Sequence, residues 1–136
     1  MIHSINKDIT ILKRKSSPAN RQNQVTVQDL TETLEANREI CAGMAANMIG
    51  INKRIIAIQM GPFSVPMINP IITKKEDMYQ TQEGCLSLTG QRSTQRFKKI
   101  SITYLDSQWQ QHSQEFTDWT AQVIQHEIDH CNGILI

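Results

Sequence analysis

The chain has 136 residues, 14 Lys and Arg against 13 Asp and Glu, a formal net charge of +1 and 39% hydrophobic residues. That size suits one domain over residues 1–136 with a real core, and the near-neutral balance argues against a strongly basic nucleic-acid footprint. No apolar run is long enough to span a bilayer, the N-terminal stretch MIHSINKDITILKRKSS lacks a signal peptide's apolar segment, and the odd set Cys41, Cys85 and Cys131 fits a reducing compartment rather than a disulfide framework. The expectation is a cytoplasmic protein with no membrane partner and no specific nucleic-acid partner.

In chain order, residues 16–24, SSPANRQNQ, read as a polar loop. A helix is expected from Val27 to Cys41, because Thr26 and Asp29 resemble a capping box and Val27, Leu30 and Leu34 recur at helical spacing. RIIAIQM, Arg54 to Met60, reads as a buried strand closed by Gly61-Pro62. VPMINPII, Val65 to Ile72, reads as a second extended segment, with prolines that suggest an edge. KKISITYLD alternates apolar Ile100, Ile102 and Tyr104 with Lys99, Ser101 and Thr103, so it is a half-buried strand. HSQEFTD is its expected hairpin partner through DSQWQQ. DWTAQVIQHEIDHCNG then reads as a helix, capped by Thr117 or Asp118 and ended by Asn132-Gly133. Trp119, Val123 and Ile124 supply part of its core face, and GILI is a short terminal strand. The fold class is α+β: strands in the middle, a helix near each end.

The last helix carries chemistry. His126 and His130 are four residues apart, so they lie on one helix face and can point at one metal ion; Glu127 sits one position round, in reach of a water there. This is the H-E-x-x-H pattern, in which two imidazoles hold a metal and the glutamate handles protons. The bland alternative, two incidental surface histidines, is weak in a chain with only four His. Asp129 reads equally as a hydrogen-bonding support for a ligand and as a solvated carboxylate. A catalytic metal site needs a third protein ligand. His3 and His112 sit in segments with no supporting pattern; Cys85, in QEGCLSLTG between Gly84 and Leu86, is the better candidate. On the residues alone, a lone cysteine serving as a small apolar side chain stays open.

HEIDH, EGCLS (Glu83 to Ser87), CAGMAANMIG (Cys41 to Gly50), INP (Ile68 to Pro70) and Gln91-Arg92 occur together, in order, over nearly the whole chain. In these the sequence strongly resembles the peptide deformylases, bacterial hydrolases that remove the formyl group from the N-terminal formylmethionine of new proteins. The resemblance implies small mixed or antiparallel sheets packed around a central C-terminal helix. It implies one divalent metal ion, natively Fe²⁺ with Zn²⁺ or Ni²⁺ able to take the site, held by Cys85, His126 and His130. It makes Glu127 the general acid–base and the Leu86 N–H an oxyanion donor. Gly43 would let the substrate backbone approach, and Ala42, Leu86, Trp119 and Val123 would receive the methionine side chain. The implied partner is an N-terminal formylmethionyl peptide, with transient ribosome association.

Two positions depart from the family pattern. Cys41 stands at the first glycine of the glycine-rich motif, and Met48 stands where the family carries a glutamine whose amide donates to the oxyanion. A thioether donates no hydrogen bond, so reduced turnover is expected, unless Asn47 supplies an amide through a one-residue shift of the loop. The chain ends at Ile136, six residues after His130; family members often continue into a segment that some of them dock on the ribosome, and docking by that route is not expected here. Two alternatives remain: a metal-binding deformylase-like paralogue that binds peptide N-termini or small ligands with little turnover, and an H-E-x-x-H peptidase, against which EGCLS counts.

Overall fold

In the computed structural model, which describes residues 1–136, the chain runs through α1 (Ile9–Leu12), a 3-10 turn (Arg21–Asn23), α2 (Gln24–Ala36), β1 (Gly43–Ala45) and a second 3-10 turn (Ala46–Ile49). It continues through β2 (Ile55–Met60), β3 (Phe63–Cys85), β4 (Leu88–Leu105), β5 (Gln111–Thr117) and α3 (Asp118–Cys131). The five strands pair antiparallel in sequence order, β1-β2-β3-β4-β5. The expected α+β class holds, with one meandering sheet in place of several small ones.

Both faces of the sheet are covered, which is why β2 is apolar at successive positions instead of alternating. Ile56 and Ile58 pack with Val123, Ile124 and Ile128 of α3. Their neighbours Ile55 and Ala57 pack on the other side with Val27, Leu30 and Leu34 of α2. The sheet is therefore the middle layer between α2 and α3, and β1 and β2 lie where the two cores meet.

Several expectations are corrected. Helix α2 starts at Gln24 and stops at Ala36, not Cys41. Its start is prepared one turn earlier, where Asn20 and Asn23 form a reciprocal capping box around the 3-10 turn. The chain leaves the helix because Cys41 and Ala42 must reach the sheet, where the Gln59 N–H donates to the Ala42 carbonyl at 2.9 Å. The prolines do not mark an outer edge: β3 lies between β2 and β4. Pro66 falls where β3 has only β2 beside it, since pairing with β4 begins at Ile68, and Pro70 falls in the register break between Ile68 and Ile71. Each proline thus sits where the ladder needs no N–H. Asn69, held at φ 52, turns its amide onto Ala19, accepting from its N–H at 2.8 Å and donating to its carbonyl at 3.0 Å. That contact ties down the polar 16–24 loop.

The hairpin of β4 and β5 forms as expected, with Lys99 opposite Thr117 and Leu105 opposite Gln111. At the start of α3, Thr117 makes no side-chain capping bond, and Asp118 takes a left-handed φ of 52. At its end, Gly133 (φ 74) donates to the His130 carbonyl and Ile134 to the Asp129 carbonyl, the Schellman arrangement. The residues after it form no strand; two peptide groups of GILI are already spent closing the helix. Trp119 is not a core residue: it is 64% exposed, whereas Val123 and Ile124 are buried. No helix is long and apolar enough to cross a membrane.

Candidate metal centre and active site

The end of β3 meets the last turns of α3. Period-two alternation puts Glu83 and Cys85 on one side of β3, and helical spacing stacks His126 and His130 on one side of α3. Cys85 Sγ lies 3.3 Å from His130 Nε2, and the two imidazole Nε2 atoms lie 3.2 Å apart. All three donor atoms lie within 4.8 Å of one another. Tetrahedral coordination with bonds of about 2.05 Å to nitrogen and 2.3 Å to sulfur puts such atoms about 3.3 Å (N to N) and 3.6 Å (S to N) apart. The spacing and the donor chemistry both fit a divalent ion. The remaining histidines are elsewhere and have acids of their own: His3 is 2.9 Å from Asp29 and His112 is 2.7 Å from Asp106.

Behind the donors is a polar network that the sequence did not announce. Glu83 accepts from Arg96 Nε at 3.0 Å, Arg96 Nη2 at 2.8 Å and Gln122 Nε2 at 2.9 Å, and its Oε1 lies 2.8 Å from His126 Nδ1. Arg96 also reaches Asp129 at 2.7 Å, so Asp129 acts through Arg96 and touches neither histidine. Glu83 and Arg96 are both buried, so each charge needs the other. Burial opposes ionisation of Glu83, but the bonds from His126, Arg96 and Gln122 outweigh it and bring the carboxyl down to about 2.

The two imidazoles differ sharply. Burial pulls His126 down, yet its contacts with Cys85 and Glu83 prevail and push it up to about 10. Burial, reinforced by the charge on His126, pushes His130 down to about 3. Glu127 is buried, its Oε1 has no partner, and burial pushes its carboxyl up to about 7. An unpaired, buried carboxyl at the edge of a cleft can take or give a proton near neutrality.

A cleft of about 900 Å³ opens in front of these groups. Its walls bring together Cys85, Leu86, Cys41, Ala42, Gly43, Met48, Trp119, Val123, His126 and Glu127, whereas His130, Asn47 and Asp129 lie outside them. His130 is fully buried behind them. Leu86 turns the chain from β3 into β4. Packing within the fold also requires Gly43 to be small. A Cβ there would lie 2.7 Å from Val123 Cγ1 and 3.2 Å from both Glu127 Cγ and the Ala57 carbonyl oxygen. Close packing of β1 on α3 demands the glycine. Asn47 is no substitute for a glutamine at position 48: it is buried, does not line the cleft, and donates to the His130 carbonyl at 2.8 Å. Met48 lines the cleft and packs into the α2-side core. Cys41 gives its thiol to the Gly43 carbonyl at 2.8 Å, and burial pushes it up to about 12, so it is no nucleophile.

The sequence profile of polypeptide deformylases matches residues 2–136. The chain belongs to the polypeptide deformylase family. It is similar to a peptide deformylase from Clostridium beijerinckii, 52% identical over 136 residues and covering all of both chains. Its fold is that of a Thermotoga maritima peptide deformylase crystal structure, with TM-score 0.88, 27% identity and coverage of 99% of this chain and 95% of that one. A Met-Ala-Ser-bound class I type b peptide deformylase from Acinetobacter baumannii matches with TM-score 0.86 and 28% identity, over 99% and 97% of the two chains. The protein is accordingly a hydrolase with deformylase activity, in a family that acts on N-formylated nascent peptides and uses a divalent metal ion.

Proposed function

We propose that Cys85 Sγ, His126 Nε2 and His130 Nε2 hold one divalent ion, Fe²⁺ natively with Zn²⁺ or Ni²⁺ able to replace it, and that this site hydrolyses the N-formyl amide of formylmethionyl peptides to release formate. The observation that carries the reading is the convergence of one sulfur and two imidazole nitrogens within 4.8 Å, beside a partnerless glutamate in the same cleft. When bound, the ion supplies a Lewis acid that acidifies water and polarises a carbonyl.

The chain's own residues do the rest. Glu127 accepts the proton of the attacking water and returns it to the leaving amine. The Leu86 N–H, in the turn beside Cys85, donates to the oxyanion as the formyl carbon becomes tetrahedral. Ala42, Leu86 and Val123 receive the methionine side chain, with Met48 lining the same cleft and the exposed Trp119 at its mouth. β1 pairs only with β2, so its free edge at Gly43 is available to peptide backbone groups. The Met-Ala-Ser ligand of the A. baumannii relative is a peptide that begins with methionine, as this reading requires. Met48 leaves the oxyanion one donor short, which slows turnover. The substrate is met in the cytoplasm as it leaves the ribosome, and the ribosome contact is transient.

The test is formate release from a formyl-Met peptide by anaerobically purified protein of measured metal content, oxygen being excluded because thiolate and Fe²⁺ both oxidise. Turnover that vanishes in Glu127→Ala, while that variant keeps its metal, is the expected result. Cleavage of a peptide bond without formate release would overturn the reading.

A further inference from the structure

We propose that Asn47 is a positioning residue for His130: its Oδ1 accepts the hydrogen of His130 Nδ1 when Nε2 carries the metal. The inference rests on the reading of His130 as a ligand. A neutral imidazole that ligates through Nε2 bears its hydrogen on Nδ1, and that hydrogen needs an acceptor to fix the ring. His126 has one, Glu83 Oε1 at 2.8 Å. His130 Nδ1 is buried and has none.

Asn47 carries the complementary deficit. Its Nδ2 donates to the His130 carbonyl at 2.8 Å, while its Oδ1 is buried without a partner. Two residues already joined by one hydrogen bond thus each hold an orphan atom of complementary kind, and these two atoms are not bonded to each other in this structure. The sense of the amide is set by the existing bond, because reversing it would place oxygen against the carbonyl oxygen. Closing the helix end does not account for Asn47, since the same carbonyl already accepts from the Gly133 N–H at 3.0 Å. The residue is well anchored: its own carbonyl accepts from Asn6 Nδ2 at 3.0 Å and from the Gly50 N–H at 3.1 Å. The 3-10 turn after β1 therefore divides its labour, Met48 facing the cleft and Asn47 backing the ligand.

The experiment uses the full chain loaded with Zn²⁺ and labelled with ¹⁵N histidine, with long-range ¹H–¹⁵N spectra that report each ring's tautomer. The expected result is His130 protonated at Nδ1, with that proton exchanging slowly. In Asn47→Leu, a near-isosteric change, the proton should exchange faster and the zinc Kd, measured against a competing chelator, should rise about 10- to 100-fold, the usual cost of losing a partner behind a ligand. A role limited to packing would lower the melting temperature of the metal-free protein and leave Kd and the proton signal unchanged, and that outcome overturns the inference. If Asn47→Leu does not fold, the wild-type spectrum decides: a His130 Nδ1 without a proton, or with one that exchanges at the rate of a solvated ring, overturns it. Absence of any zinc-induced shift at His126 and His130 in the wild type would instead remove the ligand reading itself, and this inference with it.

Discussion

The two walls of the cleft are built on opposite chemical plans. The wall made by the end of β3, β4 and α3 is organised by a polar network, in which Glu83 is bonded by Arg96, Gln122 and His126 and Arg96 spans Glu83 and Asp129. The wall made by Cys41 to Met48 is small and apolar, and its one thiol bonds within its own segment. The first wall carries the proposed metal donors, and within its network Glu83 and Arg96 depend on each other, so that removing one leaves a buried charge alone. The second wall fills space and presents a strand edge to the cleft, with Asn47 turned away from the cleft onto the His130 carbonyl. Both departures from the family pattern, Cys41 and Met48, fall on this second wall, where a change in chemistry leaves the fold intact.

Breaking the first wall should have the largest effect. Arg96→Met leaves Glu83 and Asp129 without their cation, and we expect a loss of about 3–5 kcal/mol in urea unfolding of the metal-free protein. Unchanged stability would mean the network is not the frame of the site. Its pH dependence has a definite sign. Glu83 ionises at about 2 in the fold against 4.5 ordinarily, so its contribution is present above 4.5 and is lost as pH falls through 2. That acid-side loss should shrink in Arg96→Met.

On the second wall, Met48→Gln tests chemistry rather than stability. Loss of one oxyanion donor elsewhere costs roughly 10²–10³ in kcat, so restoring it should raise kcat by at most that factor and change KM less. A kcat that stays level or falls in metal-loaded protein would contradict the oxyanion argument. Gly43→Ala probes the seam between the walls. Its methyl group would press on Val123 and Glu127, and we expect about 1–3 kcal/mol of destabilisation from overpacking. A variant of full stability would show that β1 has room to move away from α3.

The sequence makes the first wall's donors legible and hides their support. His126, Glu127 and His130 declare themselves because a helix repeats its face every three or four residues. RIIAIQM declares itself because a strand buried on both faces must be apolar throughout. Glu83 could have been found from its two-residue spacing to Cys85 along a strand, but only with the knowledge that TKKEDMYQTQEG is a strand. That stretch of β3 is mostly exposed, so no hydrophobic period betrays it. Arg96 comes from the paired strand β4 and meets Glu83 only through the fold. Asn47 and Met48 are adjacent in sequence yet face opposite directions, and nothing local says which of them meets the cleft.

The most direct measurement is the X-ray absorption spectrum of protein reconstituted with one equivalent of Zn²⁺ or Fe²⁺. We expect one sulfur at about 2.3 Å and two imidazole nitrogens near 2.1 Å in the zinc form, with the sulfur shell lost in Cys85→Ser. A wild-type spectrum with no sulfur shell would contradict the assignment of Cys85, His126 and His130 to a single ion.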